Sequence, residues 1–446
     1  MSPISDAVTI DGMLPGPMLR TGELTVRGQG SVASAFDVGR LLAATSVHCV
    51  AALDDFGDTG GGRVLDLDQV AAFCTTHLDI DGEPVPVWAD LSGIYPTADD
   101  RHLQIHCNFP HHADGVVDLL GTTHDRAEVA AAIARHDAVE LETALVERGM
   151  IAAAVRTLDE WNAHPHALAT ADLPLLDVEQ IGAADPRPGT DWAGTHVLDC
   201  SRVLAGPVAG QLLAGVGANV LRVGAEHLPS VPVGVISTGF GKRNAFVDLR
   251  TAEGGTAMET LLGGTDVWID AFRPGSMAAL GFAPDRVAEF RPGVVIVQVS
   301  AFDWTGPWAG RRGYDSIVQS TTGIRWAGGE SATDETGRPD GRDPIGLPVQ
   351  ALDYATGFLA AGVAARLLRH QRQVGGSWLA RLSLLRTRNW LVGLGGPSPY
   401  VPRPVTVAPH QLDETDSEFG RLTAVRPFAG EWHGAPRRLG TSDPIW

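Results

Sequence analysis

The stretch that decides the fold is VLDCSRVLAGPVAGQLLAGVGANVLRV (197–223), continued by GKRNAFVDLR (241–250), DVWIDAFRPGSMAALGF (266–282) and PGVVIVQVSAFDWTGPWAGRRGYDSIVQSTTG (292–323). It holds four strand-like apolar runs, each closed by a turn marked with glycine or proline. A parallel α/β sheet with a ligand crevice at its strand ends has this one-dimensional form. Val197–Asp199 predicts a strand, Gly206–Val216 a helix and Asn219–Val223 the next strand. Together they make a βαβ unit, and further strand–helix pairs extend it to about Val299.

The bulk numbers bound the rest. A chain of 446 residues has room for two or three domains. A formal net charge of −19 argues against a general nucleic-acid or anionic-membrane surface, so any anionic ligand needs a local pocket. No run of 18 uncharged apolar residues and no leader-like start is seen, and a cytoplasmic protein is expected. The four cysteines (Cys49, Cys74, Cys107, Cys200) have no paired spacing, which speaks against a disulfide framework or a thiolate metal site.

Outside the opening stretch, residues 1–30 read as an extended arm. Helical spacing runs from Phe36 to Leu53. Gly60-Gly61-Gly62 then turns the chain into a strand at Arg63–Leu67 and a helix to about His77. Residues 80–100 read as a crossover linker. Asp100–Phe109 predicts a strand, followed by three helices at about 113–121, 126–135 and 138–148. Met150–Pro165 predicts a strand feeding a helix, and 183–191 a boundary. Residues 325–346 read as a loop, Tyr354–His370 as an apolar helix and Gly375–Leu385 as a turn and strand. LLAATSVHCVAAL…GGGRVLDLDQ is similar to FLAAGVAARLL…GGSWLARLSL near residue 358, so a partial internal repeat is expected.

The opening motifs, with TGPWAGRRGYDSIVQSTTG (305–323) and PVQALDYATGFLAAGVAA (348–365), resemble the family III CoA-transferases, the superfamily of formyl-CoA transferase, carnitine CoA-transferase and α-methylacyl-CoA racemase (CaiB/BaiF-like). The ordered set spans about 190 residues. YPTADDRHLQIHCNFPHH and ERGMIAAAVRTLDEWNAHPHA resemble the family's small domain, yet they precede the CoA-binding half, so the chain resembles a permuted or partly duplicated member. The resemblance implies a Rossmann-like parallel-sheet large domain with a smaller α+β domain. The units expected are an N-terminal arm and helix–strand unit (1–79), a small domain (80–188), a CoA-binding catalytic domain (189–395) and a C-terminal tail (396–446). It also implies an interlocked homodimer, with CoA and acyl-CoA as substrates rather than a tightly bound cofactor, and a carboxylic acid as acceptor.

The candidate residues follow. Asp353, in ALDYATG, reads from the sequence as a helix N-cap. The resemblance makes it the nucleophile, whose carboxylate attacks a thioester and passes through an aspartyl-CoA intermediate. Asp315, in GYDSIVQ, is either a turn or cap aspartate or a second acid that positions the reacting groups. Tyr314 stands where the racemase branch carries histidine, and a racemase needs two bases across an acidic carbon; this favours transfer over racemisation. Val203, Leu204 and Ala205 form a loop before a helix that a ligand can approach. Arg222, Lys242, Arg243, Phe272 and Arg273 stand where the family faces the adenosine and phosphates of CoA. Formyl-CoA transferases have glutamine at the position of Leu204, and VWADLSG replaces the family's glycine-rich loop. The competing readings are an acyl-CoA racemase or isomerase and a catalytically silent CoA-ester-binding protein. The glycine spacing does not fit a nicotinamide fingerprint. His102, His106, His111 and His112 lack a ligand spacing, so no metal is expected.

Overall fold

In the computed structural model the described residues are 2–19, 24–57, 63–187, 191–339 and 343–446. The Gly60-Gly61-Gly62 turn lies outside them. Seven strands form the large sheet: β1 (Asp177–Gly182), β2 (His196–Cys200), β3 (Asn219–Gly224), β4 (Arg243–Phe246), β5 (Val267–Asp270), β6 (Val295–Ser300) and β7 (Ser377–Ser383). Their order is β4-β3-β2-β5-β6-β7-β1. All neighbours run parallel except β1, which lies antiparallel on β7. The fold class is therefore α/β with a Rossmann-like sheet. The order reverses direction at β2, so the loops after β2 and β5 diverge and leave a crevice between them.

The sheet is covered on both faces, which is why its strands read as continuous apolar runs rather than alternating ones. β6 is buried along its whole length. One face packs on α2 (Ala205–Gly215) and α4 (Ala351–Val374); the other packs on a cluster that includes Met258, Leu261 and Leu262. α4 is long and apolar enough to cross a membrane, but its most apolar window lies wholly inside the protein. It is the central core helix. α1 (Val38–Gly57) runs against it, and small residues set their approach. A Cβ on Gly362 would stand 2.7 Å from His48 Nδ1.

The expected repeat is present as element order. α1 leads to the Val64–Asp66 strand as α4 leads to β7. The former strand pairs with Thr25–Arg27 and stays out of the large sheet. A separate antiparallel sheet holds Gly93–Pro96, His102–Ile105 and Ala152–Ala154. Three helices back it, with a core of Leu103, Ile105, Val116, Val129, Leu141 and Leu145.

Three expectations need correction. The supposed arm contains a helix, Pro3–Asp11, started by a Ser2 cap and a proline in the first turn. The supposed linker contains strands at Glu83–Pro84 and Gly93–Pro96. The supposed 325–346 loop begins with a helix, Ile324–Ser331, entered through Gly323 in the left-handed region at φ 85°. The glycine pair Gly328-Gly329 hid it from a propensity reading.

Candidate active site

The crevice opens into a cleft of about 800 Å³. Its floor and one wall come from the loop after β2, the loop after β5, and the segment leading into α3 (Asp315–Thr321). Phe109–His112 and Asp114, which follow the second strand of the small sheet, also line the cleft. Val203, Leu204, Ala205, Phe272, Arg273 and Asp353 all line it.

Asp353 is not the cap of α4. It is the third residue of that helix, and Gln350 holds the cap position. The capping carboxylate comes from across space. Asp315 Oδ2 accepts from the backbone N–H of Leu352 (2.8 Å) and of Asp353 (3.0 Å). Asp315 Oδ1 accepts from the Gln319 amide. Asp315 is thus a cap, and the helix that it caps is the one carrying Asp353. Asp315 itself is fully buried and does not line the cleft.

The backbone N–H of Ala205, the first residue of α2, faces the Asp353 carboxyl and favours its ionised form. The positive end of a helix dipole thus stands behind it. Burial pushes the Asp353 carboxyl well above the usual range, and the nearby Asp315 charge adds to this against the Ala205 N–H. Asp315 is raised to about 6, chiefly by burial. Two carboxylates this close in a dry site resist both being ionised.

The loop ahead of α2 is strained. Val203 has φ 73°, an uncommon conformation for a β-branched residue. Such strain costs on the order of 1–3 kcal/mol and clusters at functional positions. Here it turns the backbone so that Leu204 and Ala205 face the cleft.

The basic residues divide. Arg273 reaches the cleft. Arg222 is buried and lines a small adjoining hollow with Arg202 and Phe109, with its Nη1 unpaired. Lys242 does not reach the cleft: at 2% exposure its Nζ donates to Asp199 Oδ2 (2.8 Å) and to the Pro207 carbonyl (2.6 Å). Its place is an ion pair that ties β4 to β2. Arg243 lies on the edge strand, half-buried, also outside the cleft.

Sequence reasoning missed Arg202, Arg311, Arg312, His111 and His112, which the cleft wall includes. The RRG before Tyr314-Asp315 and the His111-His112 pair were the available signals. Tyr314 lies in the cleft with its ring 4.3 Å from that of His106, and burial pushes its phenol up to about 12. Among the described residues no cluster fit to hold a metal ion occurs.

Comparison with known proteins supplies the chemistry's frame. Residues 192–394 match the model of CoA-transferase family III. The chain is similar to the probable fatty acyl-CoA transferase Rv3272 of Mycobacterium tuberculosis, 34% identical over 199 residues, 42% of this chain and 48% of that protein. It is also similar to the succinate–glutarate CoA-transferase of Agrobacterium fabrum, 30% identical over 201 residues, 41% of this chain and 48% of that protein. The crystal structure of Rv3272 aligns with a TM-score of 0.40 at 30% identity over 47% of this chain and 56% of that chain. The chain spans about half the length of these relatives.

Proposed function

We propose that the protein moves CoA from an acyl-CoA thioester to a free carboxylic acid, with Asp353 as covalent nucleophile. The observation that carries this reading is the Asp353 carboxyl on a cleft wall, backed by the N-terminus of α2, inside the family III segment.

The reaction runs as follows. An Asp353 carboxylate oxygen attacks the thioester carbonyl. The C–S bond breaks, CoA leaves as thiolate, and a mixed anhydride forms. The thiolate then attacks the Asp353 carbonyl carbon, which releases the acyl group as a free acid and leaves an aspartyl-CoA thioester. An acceptor carboxylate attacks that thioester, and the freed CoA attacks the acceptor side of the new anhydride. Asp353 returns as carboxylate. One difficult exchange becomes a series of easier ones. The Ala205 N–H and the α2 dipole stabilise charge on the attacking and departing oxygens.

The same reading places CoA along the strand ends, with Arg273 and Phe272 toward its nucleotide half, beside the hollow that holds Arg222. Leu204 and Ala205 would face the thioester. We expect a homodimer, which light scattering at micromolar concentration tests: a stable monomer would remove it. The activity is tested by label exchange between acyl-CoA and acid, with hydroxylamine present. Peptide mass spectrometry should find Asp353 as the hydroxamate. Exchange without a mark on Asp353 would move the covalent step elsewhere.

A further inference from the structure

Outside the cleft, the imidazole of His166 is held from two sides. It belongs to the short helix Pro165–Thr170 and is fully buried. Its Nε2 stands 2.7 Å from the Phe302 carbonyl oxygen, and its Nδ1 accepts from the Trp308 backbone N–H at 3.2 Å. These two partners fix the proton. A carbonyl oxygen only accepts, so Nε2 carries the hydrogen; a backbone N–H only donates, so Nδ1 presents its lone pair. The ring is therefore the neutral Nε2–H tautomer. A second proton, on Nδ1, would point at the Trp308 N–H and break that bond.

The contact is close as well as specific. Gly306, at φ 82°, lies between the two bonded residues, and a Cβ there would stand 2.7 Å from His166 Nδ1. The stretch from Phe302 to Tyr314 follows β6 and leads into α3, and Arg311, Arg312, Gly313 and Tyr314 at its end line the cleft. Trp308 links His166 to them. Its ring is stacked 5.8 Å from the imidazole, and the Arg311 guanidinium lies 3.9 Å from its centroid. Arg311 Nη2 in turn donates to Glu142 Oε1 at 2.7 Å. The same part of the chain fastens α3: the Arg156 N–H donates to the Ser320 carbonyl at 3.0 Å.

The charged and titratable groups that act on His166 are Asp303 and Arg311 on the bonded stretch and His164 at the start of its own helix. Asp303 is committed elsewhere: its Oδ1 accepts from Arg386 Nη2 and its Oδ2 from the Ser383 hydroxyl, both at 3.0 Å. Burial is the largest influence and holds the His166 pKa below its ordinary value; Arg311 acts the same way, and the Phe302 carbonyl and Asp303 act against it. The sign follows from linkage. A depressed histidine supports the bonded form at pH above the ordinary histidine range, and that support is lost as pH falls below it.

Resting on the reading of the cleft as the CoA site, we propose that His166 is a positioning residue. Through its bonds to Phe302 and Trp308 it holds the 302–314 stretch, and with it the Arg311–Tyr314 side of the cleft, in the form that binds ligand; an imidazolium at this place releases it.

The test separates the latch from the ligand. Spectra of isotope-labelled histidine, with His166 assigned by the signal lost in His166→Asn, should show an Nε2–H tautomer that persists below the titration of exposed histidines. An Nδ1–H tautomer, or an ordinary titration, would overturn the latch. His166→Asn sets an amide oxygen at the Nδ1 place and keeps the acceptor for Trp308, whereas His166→Gln reaches only Phe302. At about pH 7.5, where histidine is neutral, hydrogen exchange read by mass spectrometry in 302–314 should be faster in His166→Gln than in the wild type, with His166→Asn between them. Acetyl-CoA affinity by calorimetry should fall roughly fivefold in His166→Gln, the worth of about one hydrogen bond, and less in His166→Asn. On acidification the wild type should lose affinity relative to His166→Asn, which has no ring to protonate. Faster exchange with unchanged acetyl-CoA affinity would overturn the positioning role. If His166→Gln does not fold by circular dichroism, the wild-type spectra and the acid comparison with His166→Asn decide. If the wild type binds neither acetyl-CoA nor free CoA, the CoA reading falls alone, and faster exchange in His166→Gln still upholds the latch.

Discussion

At the scale of single residues the site turns on two carboxyls with different tasks. Asp353 faces the cleft near the N-terminus of α2; Asp315 is sealed behind it and caps α4. Asp353→Asn should lower CoA exchange by on the order of 10³-fold or more while acyl-CoA affinity persists, because the amide matches the shape but not the nucleophilicity. Exchange assays with calorimetry check this, and a near-normal rate would end the assignment. The pH dependence of the proposed reaction should depend on Asp315. Its pKa, about 6 through burial, and its coupling to Asp353 mean that the pair sheds its protons late. The proposed reaction needs Asp353 ionised, so exchange should rise with pH through an acidic limb. Asp315→Asn keeps an oxygen for the Leu352 and Asp353 N–H groups but removes the like charge. Asp353 should then ionise at lower pH, and the limb of kcat/KM against pH should move down. A variant limb unmoved or moved up would show that Asp315 does not act on Asp353 by charge. The sequence placed Asp353 and Asp315 by motif, but it held no sign of their hydrogen bonds, because 37 residues separate Leu352 from Asp315.

At the scale of elements, what positions Asp353 is the crossing of α2 and α4. Gly357, one turn after Asp353, lies at the contact: a Cβ there would stand 2.7 Å from the Ala205 carbonyl oxygen and 3.0 Å from Val208 Cβ. The missing side chain lets α4 approach the start of α2, which sets the Asp353 carboxyl near the N-terminus of α2. Gly357→Val should destabilise by about 1–3 kcal/mol through overpacking and should cost activity beyond its effect on the folded fraction. Thermal melts with exchange rates at full folding separate the two effects. Full activity in the folded variant would mean that the crossing does not set the site. This scale was the most legible. Strands β2, β3, β5 and β6 follow from apolar runs and turn residues, and α4 from its apolar length. The misplaced pieces have local reasons. Pro3–Asp11 is short and mixed, and Ile324–Ser331 carries two adjacent glycines that mask helical spacing. Lys242 misled for a different reason. Its position after a glycine turn looks like a ligand contact, but the partner that claims it, Asp199, comes from a neighbouring strand and is invisible in spacing.

At the scale of the whole molecule, the N-terminal segment and α4 are tied by a buried charge. Arg366, in the second half of α4, is 1% exposed, and its Nε donates to Asp11 Oδ1 at 2.6 Å. Its Nη2 reaches the Pro17 carbonyl at 2.8 Å, while Asp11 Oδ2 accepts from the Leu19 N–H at 2.8 Å. Residues more than 350 positions apart thus share one dry network, which sequence reading had no means to find. Burial alone would raise the Asp11 pKa, but the His48 imidazole, its Nε2 3.7 Å away, and hydrogen bonds from the Leu19 N–H and Arg366 outweigh it and hold the carboxyl below its ordinary value. The sign follows from linkage: a depressed carboxyl stabilises the fold above the ordinary aspartate range, and that contribution is lost as pH falls below it. Asp11→Ala removes the partner and leaves the guanidinium buried and uncompensated, a change that costs about 3–5 kcal/mol. The urea midpoint at neutral pH should fall accordingly, with the slope unchanged if unfolding stays cooperative. The difference between wild type and variant should shrink as pH is lowered through the aspartate range. Replacing the pair by Asp11→Leu with Arg366→Met should recover much of the loss, since the desolvation penalty goes with the charges. A single variant as stable as the wild type, or a deficit that does not narrow with acid, would show that this pair does not join the N-terminal helix to α4.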